Sequence, residues 1–205
     1  MASDGELLEA WRAGDRGAGS ELFDRHFEAV RRFFASKIDD DHEELVQQTF
    51  VACVGAKDRV DPSQGFRGYL FAVARSKLID RLRVRQRRGA ALDPEVDSVA
   101  AAGLSPSAAL GRTREHELLL QALRRIPLDL QIALELYYFE GLHAPELAAA
   151  LAIPLGTVRS RLRRGLEQVR LQLDHLASTP ELRRSTSMQL DEWAEQVQAM
   201  FADER

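Results

Sequence analysis

The sequence predicts an all-α protein made of two small helical domains, and three observations carry that expectation. Eight stretches place apolar residues at three- and four-residue spacing. No stretch alternates apolar and polar side chains as a half-buried strand would. Alanine, the strongest helix former, recurs throughout.

In chain order the periodic stretches are Leu7–Trp11, Leu22–Phe34, His42–Val54, Phe66–Arg85, Glu115–Ile126, Leu128–Phe139, Pro145–Leu151 and Leu155–Leu173. Gly14, Gly17 and Gly19 are expected to part the first two helices, and Pro62-Ser63-Gln64-Gly65 to make a turn before the long fourth one. Residues 89–112 have a different composition, with two prolines, small side chains, three acids and no aromatic, and read as a flexible linker. The linker divides the chain into a domain over 1–88 and a second over 113–176, with a C-terminal extension over 177–205. No internal repeat is present.

The 205-residue chain is net acidic, with 28 Lys+Arg against 32 Asp+Glu, and its 45% hydrophobic residues suffice for a core. It holds no apolar run of about 18 residues, so no membrane-spanning helix is expected. The acidic start MASDGELLEAW has no basic-then-apolar leader, and Cys53 is the only cysteine. A reducing, cytoplasmic location without an internal disulfide is therefore expected. The charge is segregated. Residues 75–88 carry seven basic residues and one acid, residues 155–170 five arginines and one acid, and residues 173–205 seven acids and three arginines.

At about 100° per residue, with Arg159 at zero, Leu155, Val158, Leu162, Leu166 and Val169 gather between about 260° and 340°, which is one buried stripe. Thr157, Arg159, Ser160, Arg161, Arg163 and Arg164 spread over the opposite side, with no i,i+4 acids expected to relieve the arginines. The short helix at Pro145–Leu151, the turn Ala152-Ile153-Pro154 and this longer helix form a helix-turn-helix pattern. In that motif the second helix enters the major groove, where Arg can read guanine and Ser or Thr can meet phosphates.

The stretch Phe66–Arg88 is a second basic helix. Phe71, Ala74, Leu78 and Leu82 form its buried stripe, and Lys77, Arg81, Arg85 and Arg88 line another face. Aromatic residues at its start beside basic ones suit single-stranded nucleic acid, because a base can stack on a ring while its phosphate meets Arg. Phe71 reads as core, whereas Phe66 is open between core and base contact.

Three segments in order, Asp39–Val54, Asp61–Arg88 and Ala122–Leu173, resemble the extracytoplasmic-function (ECF) sigma factors of the sigma-70 class, over about residues 5–175. The resemblance implies a transcription initiation factor whose first domain binds the β′ clamp helices of core RNA polymerase and opens the promoter −10 element. Its second domain would read the −35 element and touch the β flap. By position, the polymerase-binding residues would be Glu44, Leu45, Gln47, Gln48 and Phe50, with Leu45, Thr49 and Phe50 supporting the polar side chains. The −10 reader would use the turn 61–66, Phe66, Arg75, Ser76, Lys77, Asp80, Arg81 and Arg85. The −35 reader would use Thr157, Arg159, Ser160, Arg163 and Arg164. The resemblance also implies promoter DNA and an anti-sigma factor as partners.

The sequence departs from the family pattern at Val54 (usually Trp), Gln48 (often Glu), Ser76 (often Asn), His143-Ala144-Pro145 (usually Ser-aromatic-acid) and Ala152 (usually Gly). A positive φ at position 152 would strain Ala by about 1 kcal/mol.

Residue patterns for catalysis are missing. His26, His42, His116, His143 and His175 are scattered and share no metal-ligand spacing with Cys53. Asp39–Asp41 reads as a helix-capping loop, and no phosphate-cradling glycine loop appears. No cofactor and no enzyme activity are expected. A stand-alone helix-turn-helix regulator and a protein that only sequesters polymerase are the competing readings. The helices at 42–54 and 66–88 argue against the regulator. In the extension, Leu190, Trp193, Val197, Met200 and Phe201 share one helical face, which suits either its own domain or a partner surface.

Overall fold

The computed structural model describes residues 2–38, 42–61, 65–85, 93–95, 97–98 and 114–176, with the side chains of 85 and 114–117 left aside. Eight α-helices make up the described architecture: α1 Asp4–Arg12, α2 Arg16–Ala35, α3 His42–Ala56, α4 Gly65–Arg85, α5 Arg114–Leu123, α6 Leu128–Tyr138, α7 Ala144–Leu151 and α8 Leu155–Leu176. A single 3₁₀ turn, Lys57–Arg59, follows α3. Each expected helix is present, with ends within a few residues of the periodic stretch. The extension over 177–205 and the capping loop at 39–41 lie outside the described residues.

Helix starts follow local hydrogen bonding. Ser3 and Glu6 form a reciprocal capping box on α1, in which the Ser3 N–H donates to Glu6 Oε2 at 2.7 Å and the Glu6 N–H to Ser3 Oγ at 3.3 Å. Asp15 accepts from the N–H groups of Gly17 and Ala18 to start α2. Of the three glycines expected to part these helices, only Gly14 does so, at φ 106°. Gly17 and Gly19 lie inside α2. Gly19 is where α1 and α2 cross, because a Cβ there would meet the Trp11 indole at 2.6 Å.

The core is continuous through both helical groups. Leu22, Phe34, Leu70, Phe71, Leu78 and Leu82 fill the N-terminal half. In the C-terminal half α6 is buried on every face from Leu128 to Leu136, with α8 packed across it. Gly165 permits that approach, since a Cβ would meet Leu134 Cγ at 3.0 Å. Part of the segment expected to be a flexible linker is pinned to α6: the N–H groups of Leu128 and Asp129 donate to the carbonyls of Asp97 and Pro94 at 2.8 and 2.9 Å.

The turn between α7 and α8 places Ala152 at φ 55°, ψ 45°, the left-handed region that glycine enters without a Cβ penalty. Ala152→Gly is expected to raise the unfolding free energy by up to about 1 kcal/mol, less what the more flexible unfolded chain takes back. A urea titration measures this, and an unchanged or lowered midpoint would contradict it.

A second expectation concerns Asp4. Its carboxylate lies 2.6 Å from His26 Nε2 and accepts from Arg25 at 2.6 Å, contacts that hold it below the ordinary value of 3.8 against the opposing effect of burial. A depressed carboxylate stabilises the fold above its unfolded value and loses that contribution as pH falls through its folded one. Asp4→Asn should therefore lower Tm at pH 7, with the deficit closing as pH drops below 3.8. A pH-independent deficit would contradict the linkage.

Candidate nucleic-acid and partner-helix surfaces

The helix-turn-helix is built as the apolar spacing requires. Val158, Leu162, Leu166 and Val169 are buried, and so is Leu173 one step further on. Leu155 is the exception in the expected stripe, half exposed at the first residue of α8, where no turn precedes it to pack against. Pro154 stands just before α8 rather than in its first turn, its carbonyl accepting from the Thr157 N–H at 2.9 Å. At the start of α7, Glu146 reaches back to accept the His143 N–H at 2.9 Å, so the unusual His143-Ala144-Pro145 start is still capped.

Arg159, Ser160, Arg163 and Arg164 are exposed on one side of α8, and Thr157 is half-buried beside them. Two arginine expectations need correcting. Arg161 is buried rather than on the wet face, because its wheel position borders the apolar stripe. Its guanidinium donates to Glu95 at 3.0 Å and lies 3.6 Å from Asp129. Arg163 does have an i,i+4 acid, with Glu167 at 3.7 Å, although both are exposed and water screens the pair. The remaining face is strongly cationic and free of bulky apolar groups.

On α4 the expected residues separate. Phe66 is 2% exposed, tilted on His26 at 5.9 Å between ring centroids and stacked on Phe23 at 6.5 Å. It supports the turn from beneath instead of presenting a ring outward. Ser76 and Asp80 are exposed, and Lys77 and Arg81 are partly so. Asp80 has Arg83 3.8 Å away on the helix surface. Arg75 is committed elsewhere: its Nε and Nη2 each donate at 2.8 Å to the two oxygens of Asp129 on α6. The Arg85 side chain and the turn residues 62–64 lie outside the described residues. The approach to that turn is braced. Arg12 Nε donates to the Lys57 carbonyl at 3.1 Å, and Lys57 Nζ to the Trp11 carbonyl at 2.7 Å.

On α3, Leu45 and Phe50 are buried, so they hold the surface up rather than forming it. Thr49 is buried too, its hydroxyl donating to the Leu45 carbonyl at 2.7 Å. Glu44, Gln47 and Gln48 are exposed, with Gln48 Nε2 donating to Glu44 Oε1 at 2.9 Å. The sequence reading missed the apolar continuation of this face, where Val51 and Val54 are exposed one turn further on. Phe27 on α2 is also exposed and stacks on Phe50 at 6.2 Å. The signal was present in the sequence, since 44, 47, 48, 51 and 54 share one helical side. This polar-apolar strip suits a partner helix.

Also missed were Asp129, Glu135 and Glu140, three acids in or just after an otherwise apolar helix. Cys53 is buried, which pushes its thiol up to about 12 and removes it from thiolate chemistry. Among the described residues no cluster could hold a metal ion, and no helix is long and apolar enough to cross a membrane.

A family model described as ECF sigma factor matches residues 1–173. The chain is 34% identical over 170 residues to the ECF RNA polymerase sigma factor SigE of Mycolicibacterium smegmatis, covering 80% of this chain and 65% of that protein. It is 31% identical over 171 residues to the RNA polymerase sigma factor CarQ of Myxococcus xanthus, covering 82% of this chain and 97% of the relative. Among solved structures, CnrH in complex with the cytosolic domain of CnrY is similar at a TM-score of 0.61 and 26% identity, over 85% of this chain and 99% of that one.

Proposed function

We propose that this chain, which belongs to the ECF sigma factor family, binds core RNA polymerase in the cell interior and directs transcription from promoters whose two elements it reads with separate helices. Residues 1–88 act as the polymerase-binding and −10 domain, and residues 113–176 as the −35 domain. The observation that carries the reading is α8. Four buried aliphatic residues fix its orientation, and the opposite side presents Arg159, Arg163 and Arg164 with Ser160 to solvent. Such a face combines phosphate attraction with the bidentate geometry that discriminates guanine.

The strip of Glu44, Gln47, Gln48, Val51 and Val54 with neighbouring Phe27 is the proposed seat for the β′ clamp helices. Ser76, Lys77, Asp80 and Arg81 on α4, with Arg75 once it is released from Asp129, are the proposed −10 contacts. Unstacking a base there would draw on such contacts. The chain does no bond chemistry itself, and the polymerase supplies it. An anti-sigma partner is part of the proposal, and the solution of CnrH with CnrY supports it by analogy.

Run-off transcription with core polymerase and a promoter library tests the reading. Specific transcripts starting downstream of paired elements are expected. Core binding without any specific transcript would overturn it in favour of sequestration, and DNA binding without core binding would favour a stand-alone regulator.

Two substitutions refine it. Arg159→Ala is expected to weaken −35 binding by about 1–3 kcal/mol if the residue reads a base. Equal discrimination against scrambled −35 DNA before and after the change would contradict that role. Val51→Asp should lower affinity for core polymerase while leaving −35 DNA binding unchanged. A loss of both, or of neither, would remove the α3 strip from the interface.

A further inference from the structure

The helical groups meet through a surface of unusual polarity. Where α4 crosses α7, Gly68 is buried, and a Cβ on it would meet the Glu146 Cα, the Glu146 carbonyl oxygen and the Ala149 Cβ, each at 3.0 Å. Every one of those atoms belongs to α7. Glycine weakens a helix interior relative to alanine, and nothing within α1–α4 comes within contact of the missing side chain. The residue fits the crossing with α7 and no other need of the N-terminal half.

Charge across the same surface is sorted by side. Lys37, Arg32, Arg67 and Arg75 come from the N-terminal helices, and Glu135, Glu140, Glu146 and Asp129 from the C-terminal ones. Lys37 is fully buried, with its ammonium on Glu135, the Ser36 hydroxyl at 2.9 Å and the Phe33 carbonyl at 2.9 Å. Burial pushes that ammonium below its usual value, and the Glu135 carboxylate pulls it back up. Gln131 Nε2 donates to the second Glu135 oxygen at 2.8 Å. Arg32 donates twice to Glu140, at 3.1 and 2.8 Å. Arg67 donates to the Glu140 carbonyl and lies 3.9 Å from Glu146. Arg75 completes the set on Asp129. Arg124 reaches the other way, donating to the Ser36 carbonyl at 3.0 Å.

We propose that this surface is a releasable latch: α6 and α7 close over α4 and hold the chain in a state in which acids of the C-terminal half occupy cations that nucleic acid would otherwise meet. The proposal rests on the reading of α4 as the −10 helix. A permanent interface would be expected to be largely apolar, like a core cut in half. A latch built from ion pairs can part without exposing a large apolar surface, because each separated charge regains water. The latch is also one-sided. Arg75 is engaged, whereas Arg159, Arg163 and Arg164 on α8 stay exposed. The closed chain can therefore meet −35 DNA before it can meet the −10 strand. Opening releases Arg75 and uncovers α4.

The test uses the full chain and two kinds of variant. Gly68→Ala adds one methyl at the crossing and no charge. Glu140→Arg reverses an exposed acid, and Arg32→Glu with Glu140→Arg restores a pair at the original net charge. Small-angle scattering reports the radius of gyration, and fluorescence anisotropy reports binding of a single-stranded −10 oligonucleotide.

Gly68→Ala and Glu140→Arg are expected to expand the chain and tighten oligonucleotide binding. The gain is about tenfold if roughly one wild-type molecule in ten is open. The double swap should return both readouts to wild type. Unchanged dimensions in both single variants, or expansion without tighter binding in Gly68→Ala, would overturn the latch. Failure of the underlying sigma-factor reading shows separately, as wild-type chain that binds core polymerase and yields no promoter-specific transcript.

Discussion

The Asp129 carboxylate is almost wholly enclosed, and it faces two guanidinium groups at once: Arg75 of α4 in a two-bond fork and Arg161 of α8 at 3.6 Å. A buried carboxylate without cations would be strongly disfavoured, and its fork with Arg75 is the geometry that best offsets desolvation. The same residue's N–H donates to the Pro94 carbonyl, and Arg161 also reaches Glu95. One side chain near the start of α6 thus ties together the long basic helix, the recognition helix and the segment between the two halves. Lys37 and Glu135 repeat the arrangement one and a half turns further along α6. That helix is buried on all sides, and its acids point where the N-terminal half supplies cations.

This arrangement explains how a net-acidic chain keeps cationic surfaces. Acids are used twice, as internal partners and as solubilising charge. The internal ones, Asp129, Glu135 and Glu140, neutralise arginines and lysine at the junction of the helical groups. The α8 arginines at 159, 163 and 164 lie beyond their reach, so the field of that face stays positive. Arg161 shows the boundary. Only about 60° of rotation separates it from Val158, and that small angle turns a DNA-facing cation into a structural one.

The α3 strip follows a different rule. Its polar residues sit on a buried layer of Leu45, Thr49 and Phe50, and its apolar end at Val51 and Val54 is not covered by any described element. Exposed aliphatic side chains next to a stacked aromatic pair are what a helical partner can cover. The surface is rigid because the layer beneath it is tightly packed, including the fully buried Cys53.

Local chemistry made much of this protein legible from its sequence alone. Helix positions followed from apolar periodicity, the α8 stripe from a 100° rotation per residue, and the strain at Ala152 from the one residue type the tight turn would prefer. The exposed Glu44, Gln47 and Gln48 and the outward Arg159 and Arg163 followed in the same way. The tertiary structure alone decided which charged residues are spent inside. Arg75, Arg161 and Phe66 have the composition of contact residues, yet their neighbours come from segments tens of residues away. No pattern within one helix reports that distant company. The role of Gly68 is hidden for the same reason, since the atoms that require it belong to α7. Periodicity records which side of a helix turns from water, and only the packed chain determines what each side meets.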